Sequence, residues 1–249
     1  MTKLRVPAFV AFAVLSAAVF VRLGFWQLHR LTERRARNAL VVSRLQAPET
    51  DITTLTGRGD SASIRFRRAR IVGTPDYDHE LIYASRSYKG SPGVNILTPV
   101  HIAGRDTAVI VDRGWVYAPD GETVDLAKWH ERDSVFTGYL EEFPSVAGAM
   151  SANHPTVITH FGYAAVKGAL PFPVSSVYLV MRGDSVVAPD RLARLTPPPL
   201  DEGPHLNYAI QWFAFAVIAL VGAGVVIRQR RGPKVEPIPY PENSPGAKH

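Results

Sequence analysis

The sequence predicts an α+β membrane protein in which two transmembrane helices flank one antiparallel, β-rich extramembrane domain. Three observations carry this expectation. Long apolar runs lie near both ends of the 249-residue chain. The stretch between them breaks into short alternating or apolar segments separated by Gly, Pro and Asp turns. Positive charge gathers at the ends: of 28 Lys and Arg residues, 12 fall within 1–37 and 228–249 beside three acids, Glu33, Glu236 and Glu242, and the middle keeps 16 bases against 19 acids. The net charge of +6 therefore belongs to membrane flanks, and no nucleic-acid partner is expected.

The first transmembrane helix is expected over residues 6–28. Its apolar run, Val6–Val21, resumes at Leu23–Leu28, with Trp26 as a belt residue at the lipid–water boundary. Arg22 must then snorkel or pair. A cleaved signal peptide is the alternative, since the run is short and Ser16, Ala17 and Ala18 are small; an uncleaved anchor is preferred. Lys3 and Arg5 flank one span and Arg228, Arg230, Arg231 and Lys234 the other, which places both termini in the cytoplasm. A start so close to the first span points to a bacterial plasma membrane.

Residues 38–202 form the expected outer domain. Strands are read at Ile64–Val72, Leu81–Arg86, Val94–Ile102, Thr107–Asp112, Val135–Leu140 and Val174–Met181, and a short helix at Thr159–Leu170, closed by Pro171. Thr196–Pro199 is a stiff, extended connector. The second transmembrane helix is expected over 206–227: Leu206–Ile227 carries no charge and spans about 33 Å as a helix, against a hydrocarbon core of about 30 Å. The Pro-rich tail, 232–249, reads as disordered.

The second span has an unusual entrance. At 100° per residue, His205, Tyr208 and Trp212 share one face, which continues as Ala209, Ala216, Ala219 and Ala223, while Ile210, Val217, Val221 and Val225 lie opposite. A small-residue stripe suits close packing against a flat ligand or a second helix. His205 itself reads either as an interfacial residue, since aromatic and imidazole rings favour membrane boundaries, or as a metal ligand.

The domain offers little catalytic chemistry. The chain has no cysteine, which excludes disulfides, Cys-based metal sites and covalent haem attachment. Signatures of hydrolases, zinc proteases, P-loops and dinucleotide folds are missing from the sequence. Asp76, Asp78, His79 and Glu80 could gather on a hard metal, but they follow Gly73-Thr74-Pro75, and the turn reading is preferred. Asp112-Arg113-Gly114-Trp115 ends a strand, and Arg113 and Trp115 read as a stacking or partner surface, with a sheet-edge anchor as the alternative.

Several stretches together resemble the Surfeit locus protein family of membrane-bound assembly factors for haem–copper oxidases. Leu23–Arg30 (LGFWQLHR) is similar to the family's LGxWQxxR, Gly93–Pro99 (GVNILTP) to GxxVxTP, Val111–Val116 (VDRGWV) to VNRGWV, and His205–Phe213 (HLNYAIQWF) to HLxYAxxWF/Y. Gly73, Glu80-Leu81, Arg86 and Gly138-Tyr139-Leu140 fit further motifs; Asp112 departs from the usual Asn, and Arg22 stands where an apolar residue is usual. The resemblance covers about residues 20–227. It implies a non-enzymatic helper whose His205 holds the iron of haem a axially, with Tyr208 and Trp212 as pocket neighbours. It further implies as partners the oxidase catalytic subunit, haem A synthase and the lipid bilayer, with Trp26, Arg113 and Trp115 as partner surface. The alternative is a scaffold that binds the oxidase subunit and carries no haem.

Overall fold

The computed structural model describes residues 5–56, 61–183, 190–194, 196–197 and 200–231. Internal packing divides the chain into two units, one within 1–37 and 201–249, the other 38–200. The expected disordered tail, 232–249, and Pro198-Pro199 of the expected connector lie outside the described residues.

Helix α1 runs from Arg5 to Gln46, well beyond the span expected to close at 28. Residues 29–46 contain neither Gly nor Pro and are rich in Arg, Leu and Ala, so nothing interrupts the backbone ladder until Pro48 constrains the residue before it. His29–Glu33 and Arg30–Glu33 pairs, one turn apart, line its exposed side.

The domain follows as β1 (Thr50–Asp51), α2 (Ile52–Thr56), α3 (Ser61–Ile64), β2 (Arg68–Val72), β3 (Thr74–Pro75), a 3₁₀ turn (Tyr77–His79), β4 (Leu81–Tyr88), β5 (Ser91–His101), β6 (Val109–Tyr117), a second 3₁₀ turn (Leu126–Trp129), β7 (Val135–Glu142), β8 (Ala149–Met150), β9 (Val157–His160), α4 (Tyr163–Ala169) and β10 (Val177–Met181). Helix α5, His205–Arg231, ends the described chain. The helix expected over Thr159–Leu170 is shorter, because Val157–His160 joins the sheet first.

The ten strands form one sheet in the order β1-β2-β7-β10-β6-β5-β4-β9-β8, with β3 on β5. Where an antiparallel sheet was expected, the sheet is mixed. β4–β5, β5–β6, β2–β7 and β7–β10 are antiparallel, whereas β1–β2, β6–β10 and β4–β9 are parallel. The parallel pairs arise where the chain leaves the sheet and returns. Between β7 and β10 it builds β8, β9 and α4 before β10 enters between β7 and β6.

Both faces are covered. Ile71, Val111, Phe136 and Leu179 pack with Ile52 and Leu55 of α2; Leu81, Leu97, Ile110 and Ile158 pack with Val166 of α4 and with Phe161 just before it. In β6 the residues from Val109 to Val116 are therefore all buried, and the strand reads as a run without alternation. The β4–β5 hairpin turns on Lys89 and Gly90, both with positive φ (51° and 82°), which matches the twist of the flanking strands.

Candidate functional site

In the helical unit, α1 and α5 pack along two matching seams. Ala13, Ala17, Phe20, Gly24, Gln27 and Leu31 on α1, and His205, Ala209, Trp212, Ala216, Ala219 and Ala223 on α5, alternate steps of four and three, the 3.5-residue repeat of helices packed side by side. Ala209, Ala216 and Ala223 are buried, as are Ala13 and Ala17. The Phe20 and Trp212 rings stack with centroids 5.7 Å apart. A Cβ on Gly24 would stand 2.5 Å from the Phe213 ring, so only glycine allows that approach. The alanine stripe, expected to leave room for a planar ligand, is thus filled by the first helix: of the two uses its small residues suit, helix packing is the one observed.

His205 opens the seam of α5. Its Nδ1 donates to Gln27 Oε1 at 2.9 Å, and Gln27 is itself buried. A neutral imidazole that donates from Nδ1 carries its lone pair on Nε2, which has no hydrogen-bond partner among the described residues. Gly203 lies beside this ring, where a Cβ would stand in ordinary van der Waals contact, 3.5 Å from Nε2. Gly203 has φ +70°, a conformation that also selects glycine. The Pro204 carbonyl accepts the Tyr208 N–H at 3.1 Å and starts the helix. Just before it, Arg35 holds Glu202 through hydrogen bonds of 2.9 and 2.8 Å, and Arg34 reaches Asp201 at 3.2 Å.

An oriented imidazole with one open nitrogen is the arrangement that axial coordination of haem iron requires: a fixed ring, a defined tautomer and a free lone pair. His205 and Trp212 both face α1. Tyr208 does not join them; it is 46% exposed and off the seam. Trp26 is likewise exposed, which suits a residue in contact with lipid. Gln27 was not singled out from the sequence, although it stands inside LGFWQLHR and on the repeat 20, 24, 27, 31 that would have found it.

Arg113 and Trp115 correct the expectation of a partner surface, for the domain encloses both, with exposures of 0% and 2%. Arg113 Nη1 donates to Glu80 Oε1 at 2.9 Å and its Nη2 to the Trp129 carbonyl, with Glu131 Oε2 at 3.3 Å. Glu80 also accepts from Thr98 Oγ1 and from His130 Nε2, the latter at 3.2 Å. Trp115 Nε1 donates to the Arg86 carbonyl at 3.3 Å, and its ring fills space left by Gly93. The conspicuous GVNILTP and VDRGWV stretches are thus neighbouring strands, β5 and β6, fitted to one another.

Asp76 behaves as the turn reading expects. Its Oδ1 accepts the His79 N–H and caps the 3₁₀ turn, while Oδ2 accepts from His79 Nδ1 at 2.9 Å and His101 Nε2 at 3.2 Å. These imidazole contacts hold the carboxyl below its usual range against the opposing effect of burial, which is the largest single influence. No group of three or more metal-binding side chains is found among the described residues.

Comparison with known proteins agrees with the motifs. The SURF1 family model matches residues 14–217. An uncharacterized SURF1-like protein of Mycobacterium bovis is 28% identical over 246 residues, covering 92% of this chain and 88% of that protein. SURF1-like proteins of Monosiga brevicollis and Rickettsia felis are 25% and 23% identical, covering 84% of this chain in each case and 84% and 92% of those proteins. With two helices long and apolar enough to cross a membrane on either side of a mixed-sheet domain, the chain belongs to the SURF1 family, a family of assembly factors linked to cytochrome oxidase.

Proposed function

We propose that the protein is a non-enzymatic assembly factor that binds haem a through His205 Nε2 at the outer end of the second span. It hands this cargo to the catalytic subunit of a haem–copper cytochrome c oxidase, with haem A synthase as the source. The observation that carries the reading is the His205–Gln27 hydrogen bond of 2.9 Å, which fixes the ring and leaves Nε2 free beneath Gly203. The described chain supplies no second strong ligand beside Nε2.

The proposal includes a topology: a bacterial plasma membrane, both termini cytoplasmic, and residues 38–202 outside. It rests on the basic flanks at both ends. Reporter fusions after Gly121 and after Lys248 then give opposite compartments; the same compartment for both contradicts it.

One observation favours a second reading, the scaffold without haem. Polar side chains that hydrogen-bond between helices stabilise membrane hairpins, and the Gln27–His205 contact is a bond of this kind. The two readings separate on the absorbance spectrum of the protein purified in detergent from cells that also express the haem A synthesis enzymes. A carrier arrives with haem in near-stoichiometric amount. A colourless, folded preparation favours the scaffold.

A further inference from the structure

The domain holds a second cavity-lining cluster, remote in sequence from His205 and unused by the proposed haem chemistry. One face of the sheet forms its floor. Tyr139, Val180 and Asp112 stand side by side on β7, β10 and β6. Tyr178 is two residues from Val180 on the same face, and Asn95 and Tyr83 pair on β5 and β4. A cavity of about 550 Å³ opens over them, walled by Phe143 and Phe161. That volume lies in the range of small-molecule sites.

Asp112 is the unusual member. It is 5% exposed, accepts from Asn95 Nδ2 at 2.8 Å and the Gly114 N–H at 3.0 Å, and forms no ion pair among the described residues. A buried carboxylate without a counter-ion is costly, and an asparagine in its place could satisfy both partners without charge once the Asn95 amide turns to offer its oxygen. The nearest cations are engaged elsewhere: Arg194 with Glu131 at 2.7 Å, and Arg86, at the mouth, with the Tyr83 hydroxyl at 3.2 Å and over its ring at 4.5 Å. The hydroxyls of Tyr139 and Tyr178 likewise have no partner among the described residues. The rest of the lining combines the rings of Phe143 and Phe161, whose faces attract cations, with Glu142 and with Arg65, which is paired with Glu141.

From this convergence we infer that the cavity is a binding site for a small organic ammonium ion with a flat apolar body. The ammonium group meets Asp112 and the tyrosine hydroxyls, and the body lies between Phe143, Phe161 and Tyr178. Arg86 shows on this chain that the wall accepts a cation. An anion would face Asp112 and Glu142, while the two arginines of the lining are held by Glu141 and by the Tyr83 ring.

The test uses full-length protein in nanodiscs with ¹³C-labelled tyrosine, titrated with phenethylammonium, its neutral isostere 2-phenylethanol, and phenylacetate. Phenethylammonium is expected to shift the Tyr139 and Tyr178 signals saturably, with the alcohol weaker and phenylacetate without effect. Asp112→Asn, which keeps the shape, is expected to weaken ammonium binding about tenfold or more and to erase the preference over the alcohol. Tyr178→Phe retains the wall and loses one hydroxyl, so a smaller weakening of the same preference is expected, which serves if Asp112→Asn does not fold. Equal binding of ammonium and alcohol in the wild type, binding of none of the three, preference for phenylacetate, or unchanged ammonium affinity in folded Asp112→Asn would each overturn the inference.

Discussion

In the helical unit, His205 meets one neutral partner, Gln27, and keeps one nitrogen open. In the domain, Arg113 is enclosed on every side and reaches Glu80, Glu131 and the Trp129 carbonyl, with only its Nε unpaired among the described residues. Both are polar side chains set among apolar ones, yet the surroundings satisfy one completely and the other only in part. A side chain whose capacity is used up holds structure. One whose capacity is left over is available to a ligand. Asp112 stands between the two: it has hydrogen-bonded partners and no counter-charge.

The largest expected effect follows from the closed network. Glu80→Ala leaves Arg113 buried without its nearest carboxylate, and breaking such a pair costs roughly 3–5 kcal/mol. Thermal unfolding of the full-length protein, followed by the sheet signal in circular dichroism, should show the domain melting far earlier, while the helical hairpin still inserts. An Arg113 whose burial matters little would leave the melting temperature within a degree or two of wild type.

A smaller effect, of opposite sign, is expected at Asp112. Burial raises its carboxyl from the ordinary value of 3.8 to about 6, against the lowering effect of the hydrogen bonds from Asn95 and Gly114. The folded chain therefore keeps a proton at Asp112 that the unfolded chain has lost between about pH 4 and pH 6. Stability from this group is present below pH 4 and is lost as pH rises through 6, on the order of 3 kcal/mol in all. Asp112→Asn should flatten that part of the pH–stability curve and leave the domain more stable at pH 7. An unchanged curve between pH 4 and 7 would show that Asp112 titrates as an ordinary carboxylate.

Within the hairpin the seam can be tested against its back. Ala216→Leu overfills a position that is 3% exposed, at a cost of about 1–3 kcal/mol, whereas Val217 is 59% exposed and Val217→Leu should be almost silent. Resistance of the purified protein to detergent-induced unfolding separates them. Equal behaviour would mean that α1 and α5 do not pack along this repeat.

The sequence reading succeeded where periodicity is local and failed where partners are distant. His205 and Trp212 could be placed on one face from spacing alone. Tyr208 was grouped with them because a helical wheel puts it about 60° away, but a 3.5-residue seam is narrower than that. The strands of the domain were legible as short apolar segments, and the parallel pairings were not, since β6 and β10 lie some 70 residues apart and no local pattern records such a pairing. Arg113 was misplaced for a related reason. Arginine is seldom fully buried, and the residue that makes its burial tolerable, Glu80, stands 33 positions earlier. Gln27 was visible as part of a motif, but its role appears only when the second helix brings His205 to it.

The central claim is that His205 is a ligand by virtue of its open Nε2, and its most direct test is the haem content of His205→Ala beside Gln27→Ala. Both proteins are purified from cells making haem A, with insertion and folding verified for each. The account predicts that His205→Ala retains little haem while its hairpin and domain remain intact. Gln27→Ala should keep part of its haem, with a shifted spectrum, because the ligand survives but its orientation is lost. Full haem retention in a folded His205→Ala protein would contradict the account.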